Sequence, residues 1–381
     1  MGDLNYVRYS DSVEQIQLNE AELTELIVAS MARTNRKVFE KHRHAVRDAH
    51  AKSHGILKGE LEVYPDLPQH LRQGIFAMPT RYPVIVRLST SHADLESDRI
   101  PSLFGMAIKV LGVTGNKVLP EDESRNQDIL LNNIPIIPFG HVAAYWKVHQ
   151  GLEKLAENPS AVQPSATGSP SDAADNLDPE GPPSLPYSHI LGETYHSMAA
   201  LRFGAYVAKL SAAPLSESVR SLTGAPVPDT DSALRDLVVD FFRNNSAEYE
   251  MRAQLMTDLE QMPVEDASVL WPESLSPHQP IGKLTFPAQD AYSPARRVYG
   301  DDVLSFNPWH CIEEHRPPGS IMCVRIKAYE MSSSFRHQMN AQPRLEPKDI
   351  NDCRYEPEPA HTAIRLKSPL QSLGEDRRPW I

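Results

Sequence analysis

From Ala247 to Leu255 the chain alternates without a break. Ala247, Tyr249, Met251, Ala253 and Leu255 fall on one side, and Glu248, Glu250, Arg252 and Gln254 on the other. A period of two sustained this long predicts a β-strand with one face buried and one wet. Tyr82 to Ser89 repeats the pattern, with Val84, Val86 and Leu88 opposite Ile85, Arg87 and Ser89. Gly59 to Val63, Phe104 to Leu111, Asp128 to Ile137, Phe203 to Leu210 and Ile281 to Phe286 read as further strands. Two clusters of strands split by helix and loop suggest one closed antiparallel barrel with helices outside.

The helices are read from a period of 3.6. Asn19 with Glu22 three residues on is a capping pair, and Leu23, Leu26, Ile27 and Met31 then share a face of a helix running to about Lys41. His141 to Ala156 carries Val142, Tyr145, Trp146, His149 and Leu152 along one side, and Asp231 to Phe242 is a third helix. Residues 1–18 are expected to be a polar N-terminal arm. Residues 19–341 are expected to be the main domain, interrupted by a Pro/Ser-rich loop at 158–186, and 342–381 a proline- and charge-rich tail.

A formal charge of −12 argues against a nucleic-acid or anionic-membrane partner. No apolar run is long enough to span a bilayer, and the first residues have neither the basic nor the apolar stretch of a secretory signal. Cys311, Cys323 and Cys353 are odd in number and lack metal-motif spacing. The expectation is a cytoplasmic protein.

Three groups of residues invite chemistry. Arg87, beside Ile85 and Ser89, is expected on the inward face of an otherwise apolar strand, where a cation is costly unless it meets an anion. A structural ion pair is the commoner explanation for such an arginine taken alone. His42, His44, His50 and His54 form the densest histidine cluster, and His50 and His54 at i, i+4 could share a metal on a helix. No carboxylate-rich segment follows, and Gly55 breaks the run. Lastly, Arg325, Tyr329, Ser332 and Arg336 are spaced four, three and four apart, which stacks them on one face of a helix. Positive charge beside a phenol favours its ionised form, although a core tyrosine with solvated arginines would show the same spacing.

Arg47-x-x-His50-Ala-Lys followed by Val86-Arg-Leu-Ser-Thr resembles the haem side of the catalase family. The resemblance continues in order through Gly105-Met-Ala-Ile-Lys, Asn132-Asn133-x-Pro135, Trp271-Pro272, Gly282-Lys-Leu and Phe306-Asn-Pro to Arg325-x-x-x-Tyr329. It implies an α+β fold: a closed eight-stranded antiparallel β-barrel with surrounding helices, holding haem b. Tyr329 would be the axial iron ligand, with Arg325 bonded to its phenolate oxygen. Arg47, Arg87 and Arg336 would meet the propionates, and Phe306 and Ser332 would also belong to the cofactor site. On the other side His50 would be the acid–base group, Ser89 would orient it, and Asn132 would donate to the peroxide.

Departures from the family pattern bear on the substrate. Lys327 stands where Arg-x-Phe-x-Tyr has its aromatic, and Ala49 replaces the usual valine before the histidine. Arg99-Ile100-Pro101 lacks the acid of Arg-Asp-Pro, and the chain lacks the family's later helical region. The resemblance is to the small catalase-related branch. It implies a haem peroxidase using hydrogen or organic peroxide to oxidise a small organic donor, with weak catalase activity. An allene oxide synthase-like enzyme converting fatty-acid hydroperoxides is the alternative, and a non-catalytic haem-binding or structural relative is the alternative of another class. Family precedent implies a homo-oligomer.

Overall fold

A computed structural model describes residues 5–157 and 187–353. The expected loop at 158–186 and all but the first residues of the expected tail lie outside the described residues. The described residues form nine strands: β1 (Ser53–Val63), β2 (Arg81–Thr90), β3 (Phe104–Leu111), β4 (Asn126–Asn132), β5 (Tyr195–His196), β6 (Leu201–Phe203), β7 (Tyr206–Pro214), β8 (Ala247–Leu255) and β9 (Gln279–Phe286). All pairings are antiparallel, in the order β5-β4-β3-β2-β1-β9-β8-β7-β6. β5 also pairs with β7, Tyr195 opposite Ala212 and His196 opposite Ser211. That second pairing closes a ring of eight strands and leaves β6 attached outside it. A closed eight-stranded antiparallel barrel is therefore the architecture, and closure removes the exposed edges of an open sheet.

The alternation of β2 and β8 decides what lies inside. Val84, Val86 and Leu88 join Tyr249, Met251 and Leu255 in the main core, all at 1% exposure or less. Burying such side chains is worth about 1.5–3 kcal/mol each. The opposite face of β2 looks outward, and Ile85 packs there with Ile56, Leu111 and Phe306.

Six helices accompany the barrel: α1 (Glu20–His42), α2 (Val142–Glu157), α3 (Glu217–Arg220), α4 (Ala233–Phe242), α5 (Pro294–Val298) and α6 (Ser320–Met339). α1, α2 and α6 pack together through Ile27, Met31, Val142, Val324 and Ala328. The capping pair expected at the start of α1 does not form. Asn19 is left-handed (φ 70°) and its side chain caps nothing, although its carbonyl accepts the first helical bond from Leu23.

α6 begins at Gly319 without a local side-chain cap. Its first amides instead donate to distant carboxylates: Gly319 N–H to Glu14 and Ser320 N–H to Glu265, both at 3.0 Å. Negative charge there complements the helix dipole. The N-terminal arm thus helps fix the helix that carries Tyr329. No described helix is long and apolar enough to cross a membrane.

Candidate active site

One wall of the site is the outer face of β2, β3 and β4. Residues directly opposite on antiparallel strands point to the same side. Ser89, Gly105 and Asn132 form one such row, and Arg87, Ala107 and Leu130 the next. Asp128, Leu130 and Asn132 alternate along β4, and the register puts them on the same side as Arg87 and Ser89.

His50 lies against this wall. Its Nδ1 is 3.1 Å from Ser89 Oγ, leaving Nε2 for another partner. The ring sits over Gly105, where an added Cβ would come within 2.6 Å of Nδ1 and Cε1. Only glycine permits that approach. The backbone of His50 is left-handed, at φ 58°, a conformation uncommon outside glycine. Arg87 stabilises it by donating to the carbonyls of His50 (2.8 Å) and Ala51 (3.1 Å). Burial, with the nearby charges of Arg87, Arg325 and Arg47, lowers the imidazole pKa to about 3. The ring is therefore neutral near pH 7, able to accept a proton at Nε2.

The facing wall is α6. Arg325, Tyr329, Ser332 and Arg336 do share a helical face. Ser332 Oγ accepts the amide of Asp48 at 3.2 Å, which brings this face against the Arg47–His50 segment. Arg336 donates to the carbonyls of Asp301 (2.6 Å), Asp302 (2.9 Å) and Leu304 (3.2 Å), leaving its buried Nε without a partner. Among the described residues Arg325 makes no hydrogen bond to the Tyr329 hydroxyl. Its charge instead reaches His50 and Tyr145.

Arg47 and Arg87 meet Arg336 at one place, the π-helical turn Tyr299–Val303. Arg47 donates to the carbonyls of Gly300, Asp301 and Leu304. Arg87 pairs with the Asp301 carboxylate at 3.0 Å, and the other oxygen of that carboxylate accepts from Ser53 at 2.8 Å. The anion that Arg87 required is thus supplied by the protein, as the structural explanation for an inward arginine has it. Sequence reasoning missed Asp301. Its only signal was the acidic pair after Gly300, more than two hundred residues from Arg87.

Arg87 at 3.0 Å and Arg47 at 3.7 Å share this single carboxylate, Arg336 meets only backbone carbonyls, and Asp302 turns to His44 at 2.9 Å. Burial and mutual repulsion lower Arg336 to about 10 and push Arg47 down as well. With its orphaned Nε, the cluster has donors and charge to spare, and it fits a cofactor bearing two carboxylates.

The two walls meet where the Asp48 amide donates to Ser332. Arg47, Asp48, His50 and Tyr145 are surrounded by protein yet keep part of their surface uncovered. Ala49, between Asp48 and His50, is exposed. His50 Nε2, the Asn132 amide, the Arg325 guanidinium, the Tyr329 hydroxyl, the Tyr145 hydroxyl and the Asp48 carboxylate have no side-chain partner among the described residues. Unsatisfied polar groups are costly when buried. A donor set of phenol, imidazole and guanidinium on two adjoining walls fits haem.

The remaining expectations are dispersed. Phe306 packs in the outer cluster with Ile56 and Ile85, and the ammonium of Lys109 sits 5.4 Å from its ring centroid. His42 pairs with Asp94, His44 with Asp302, and His54 is buried beside Thr90 and Asp98, so the four histidines do not converge. Lys327 points outward to Glu25, and Arg99 is at the surface on Asp229 and Asp231. Two surface clefts of about 470 and 370 Å³, one beside Tyr64 and Leu71 and one beside Val28 and Ile326, lie apart from His50 and Tyr329.

No protein-family model matches the chain, and no curated protein matches it. Solved structures do. A fungal catalase superposes with a TM-score of 0.54 and 16% identity, over 90% of this chain and 74% of that one. Catalase A from Saccharomyces cerevisiae superposes with a TM-score of 0.50 and 15% identity, over 91% and 77%. The fold is catalase-like.

Proposed function

We propose that the chain is a haem-dependent peroxidase that reduces hydrogen peroxide or an organic hydroperoxide while oxidising a small organic donor, with weak catalase activity. The observation that carries this reading is the convergence of unpartnered polar groups from two walls, imidazole and amide on one and phenol and guanidinium on the other. In this reading Tyr329 ligates the iron, the excess charge of Arg47, Arg87 and Arg336 meets the propionates, and Phe306 and Ser332 support the site from behind. Haem, when bound, supplies the oxidising chemistry.

His50 would take a proton at Nε2 from a bound peroxide and return it to the departing oxygen. Ser89 holds Nδ1, so Nε2 stays the accepting nitrogen. Asn132 donates a hydrogen bond to the second oxygen. The balance is one hydroperoxide and two donors, each giving up an electron and a proton, to one alcohol (water from hydrogen peroxide), one water and two donor radicals. Ala49 in place of the family's valine, and the missing acid at Ile100, favour an organic peroxide or donor over hydrogen peroxide alone.

The test is the visible spectrum of the haem-supplemented protein, with and without dithionite. A strong Soret band with a high-spin ferric pattern that resists reduction is expected, and Tyr329→Phe should abolish it. His50→Ala should keep the band and slow peroxide cleavage by about 10²–10⁴-fold. Absence of haem binding would refute the proposal. A rearranged lipid product without donor oxidation would favour the allene oxide synthase-like alternative.

A further inference from the structure

Ala45 to Asp48 lie between α1 and β1, in no helix or strand, and lead directly into His50. Ala45 is 1% exposed, so its backbone N–H and C=O must find partners inside the protein. Both find the same side chain. The Ala45 N–H donates to Asn340 Oδ1 at 2.8 Å, and Asn340 Nδ2 donates to the Ala45 carbonyl at 2.8 Å. A carboxamide offers an acceptor and a donor side by side, and here it stands in for a neighbouring strand.

Asn340 is the C-terminal cap residue of α6, the helix that carries Tyr329. Eight residues earlier on that helix, Ser332 Oγ accepts the amide of Asp48 at 3.2 Å. Residues eight apart lie about 12 Å apart along a helix axis. One contact would fix where the segment touches α6 and leave it free to pivot. Two contacts, one at each end of the segment, also fix its direction, and the chain reaches His50 two residues later. Two of the three hydrogen bonds in this attachment belong to Asn340. The titratable groups facing its amide are His44 (Nε2 at 3.3 Å) and Asp302 (Oδ1 at 3.4 Å), with the Arg336 guanidinium on the Asp301 and Asp302 carbonyls.

We propose that Asn340 is a positioning residue: by pairing with both backbone groups of Ala45 it sets where the His50 imidazole stands relative to the Tyr329 phenol, and so how firmly haem is held. The consequence for haem rests on the peroxidase reading, but the tie itself does not. Neither near-isostere replaces the amide. Leucine has its shape and makes neither hydrogen bond. An ionised aspartate accepts from the Ala45 N–H but sets a second acceptor against the Ala45 carbonyl, which is repulsive. A protonated aspartate, accepting with one oxygen and donating with the other, restores the pair. The Asp302 carboxylate beside it favours that protonation.

Haem transfer from the loaded protein to excess apomyoglobin, at pH 5 and pH 8, makes the test, with wild type as the reference at each pH. At pH 8 Asn340→Asp and Asn340→Leu should both release haem at least about tenfold faster, the scale of one lost buried hydrogen bond. At pH 5 Asn340→Asp should return close to the wild-type rate, and Asn340→Leu should not. The same pattern should persist in a His44→Gln background. Wild-type release in both variants at pH 8, an Asn340→Asp defect equal at the two pH values, or a rescue that vanishes with His44 would overturn the assignment. If even the wild type binds no haem, the peroxidase reading fails, and the tie is read in the haem-free protein by hydrogen exchange of residues 43–52. Faster exchange in Asn340→Asp at pH 8, recovered at pH 5 after correction for intrinsic rates, would then uphold the tie, and unchanged exchange would overturn it.

Discussion

Replacing Gly105 by alanine should disable His50 without touching it chemically. The new Cβ would lie 2.6 Å from the imidazole and 3.0 Å from Ser89 Oγ. Carbon contacts are comfortable at about 3.5 Å, so the ring must retreat by roughly 0.9 Å. The backbone cannot absorb this easily. His50 is already left-handed, and two Arg87 bonds hold its carbonyl and the next. The ring therefore swings, its bond to Ser89 lengthens, and Nε2 leaves its place. A displacement near 1 Å costs catalysis about 10²-fold. Stopped-flow peroxide cleavage on haem-loaded protein, with haem content measured in parallel, reads this directly. Gly112→Ala is the control, since it strains a φ of 78° where nothing lies within 4 Å. That variant should lose stability and keep the cleavage rate. A full rate in Gly105→Ala at normal haem content would refute the role given to the histidine's position.

Two further perturbations bear on the charges. Asp301→Ala removes the carboxylate that pairs with Arg87 and Arg47. Urea unfolding should register a loss of about 3–5 kcal/mol, partly recovered on haem addition, whereas a change below about 1 kcal/mol would show that the turn does not depend on that ion pair. Asp48 predicts a pH effect. Its folded pKa of about 7 lies above the ordinary carboxylate value of 3.8, so its stabilising contribution is complete below pH 4 and lost as pH rises to 7. Relative to wild type, ligand-free Asp48→Asn should gain about 2 kcal/mol across that window, roughly half the unscreened value because Asp48 stays partly uncovered. Parallel stability profiles from pH 4 to 8 would refute it.

Strand alternation was readable because it depends on local geometry alone. β8 begins and ends where its pattern does; in β2 the period gave the alternation but not its sense, and Arg87, expected to face inward, lies with Ile85 and Ser89 on the outside of the barrel. The Arg325–Arg336 face was readable for the equivalent helical reason. Long-range pairing was not readable, because nothing near Tyr195 announces that a two-residue strand will bridge β4 and β7. The same holds for Asp301, which neutralises an arginine on a remote strand, and for Glu14, which caps a helix three hundred residues on. Asp48 stood inside the Arg-x-x-His pattern at an unspecified position. Only its place where the two walls meet gives it meaning.

The join between β4 and β7 has a consequence for folding order. Asn132 pairs with His196 across it, so the proposed peroxide-orienting amide stands where the ring shuts. The contact joins chain positions 64 residues apart, and that loop entropy must be met before the bridge forms. The bridging strand has only two residues, so its amides should exchange with solvent faster than those of β2 or β8. The barrel should collapse first, and the pocket should acquire its final wall in a later step. Cofactor capture would then report on completion of the fold, and it would lag behind the appearance of strand structure in a refolding experiment.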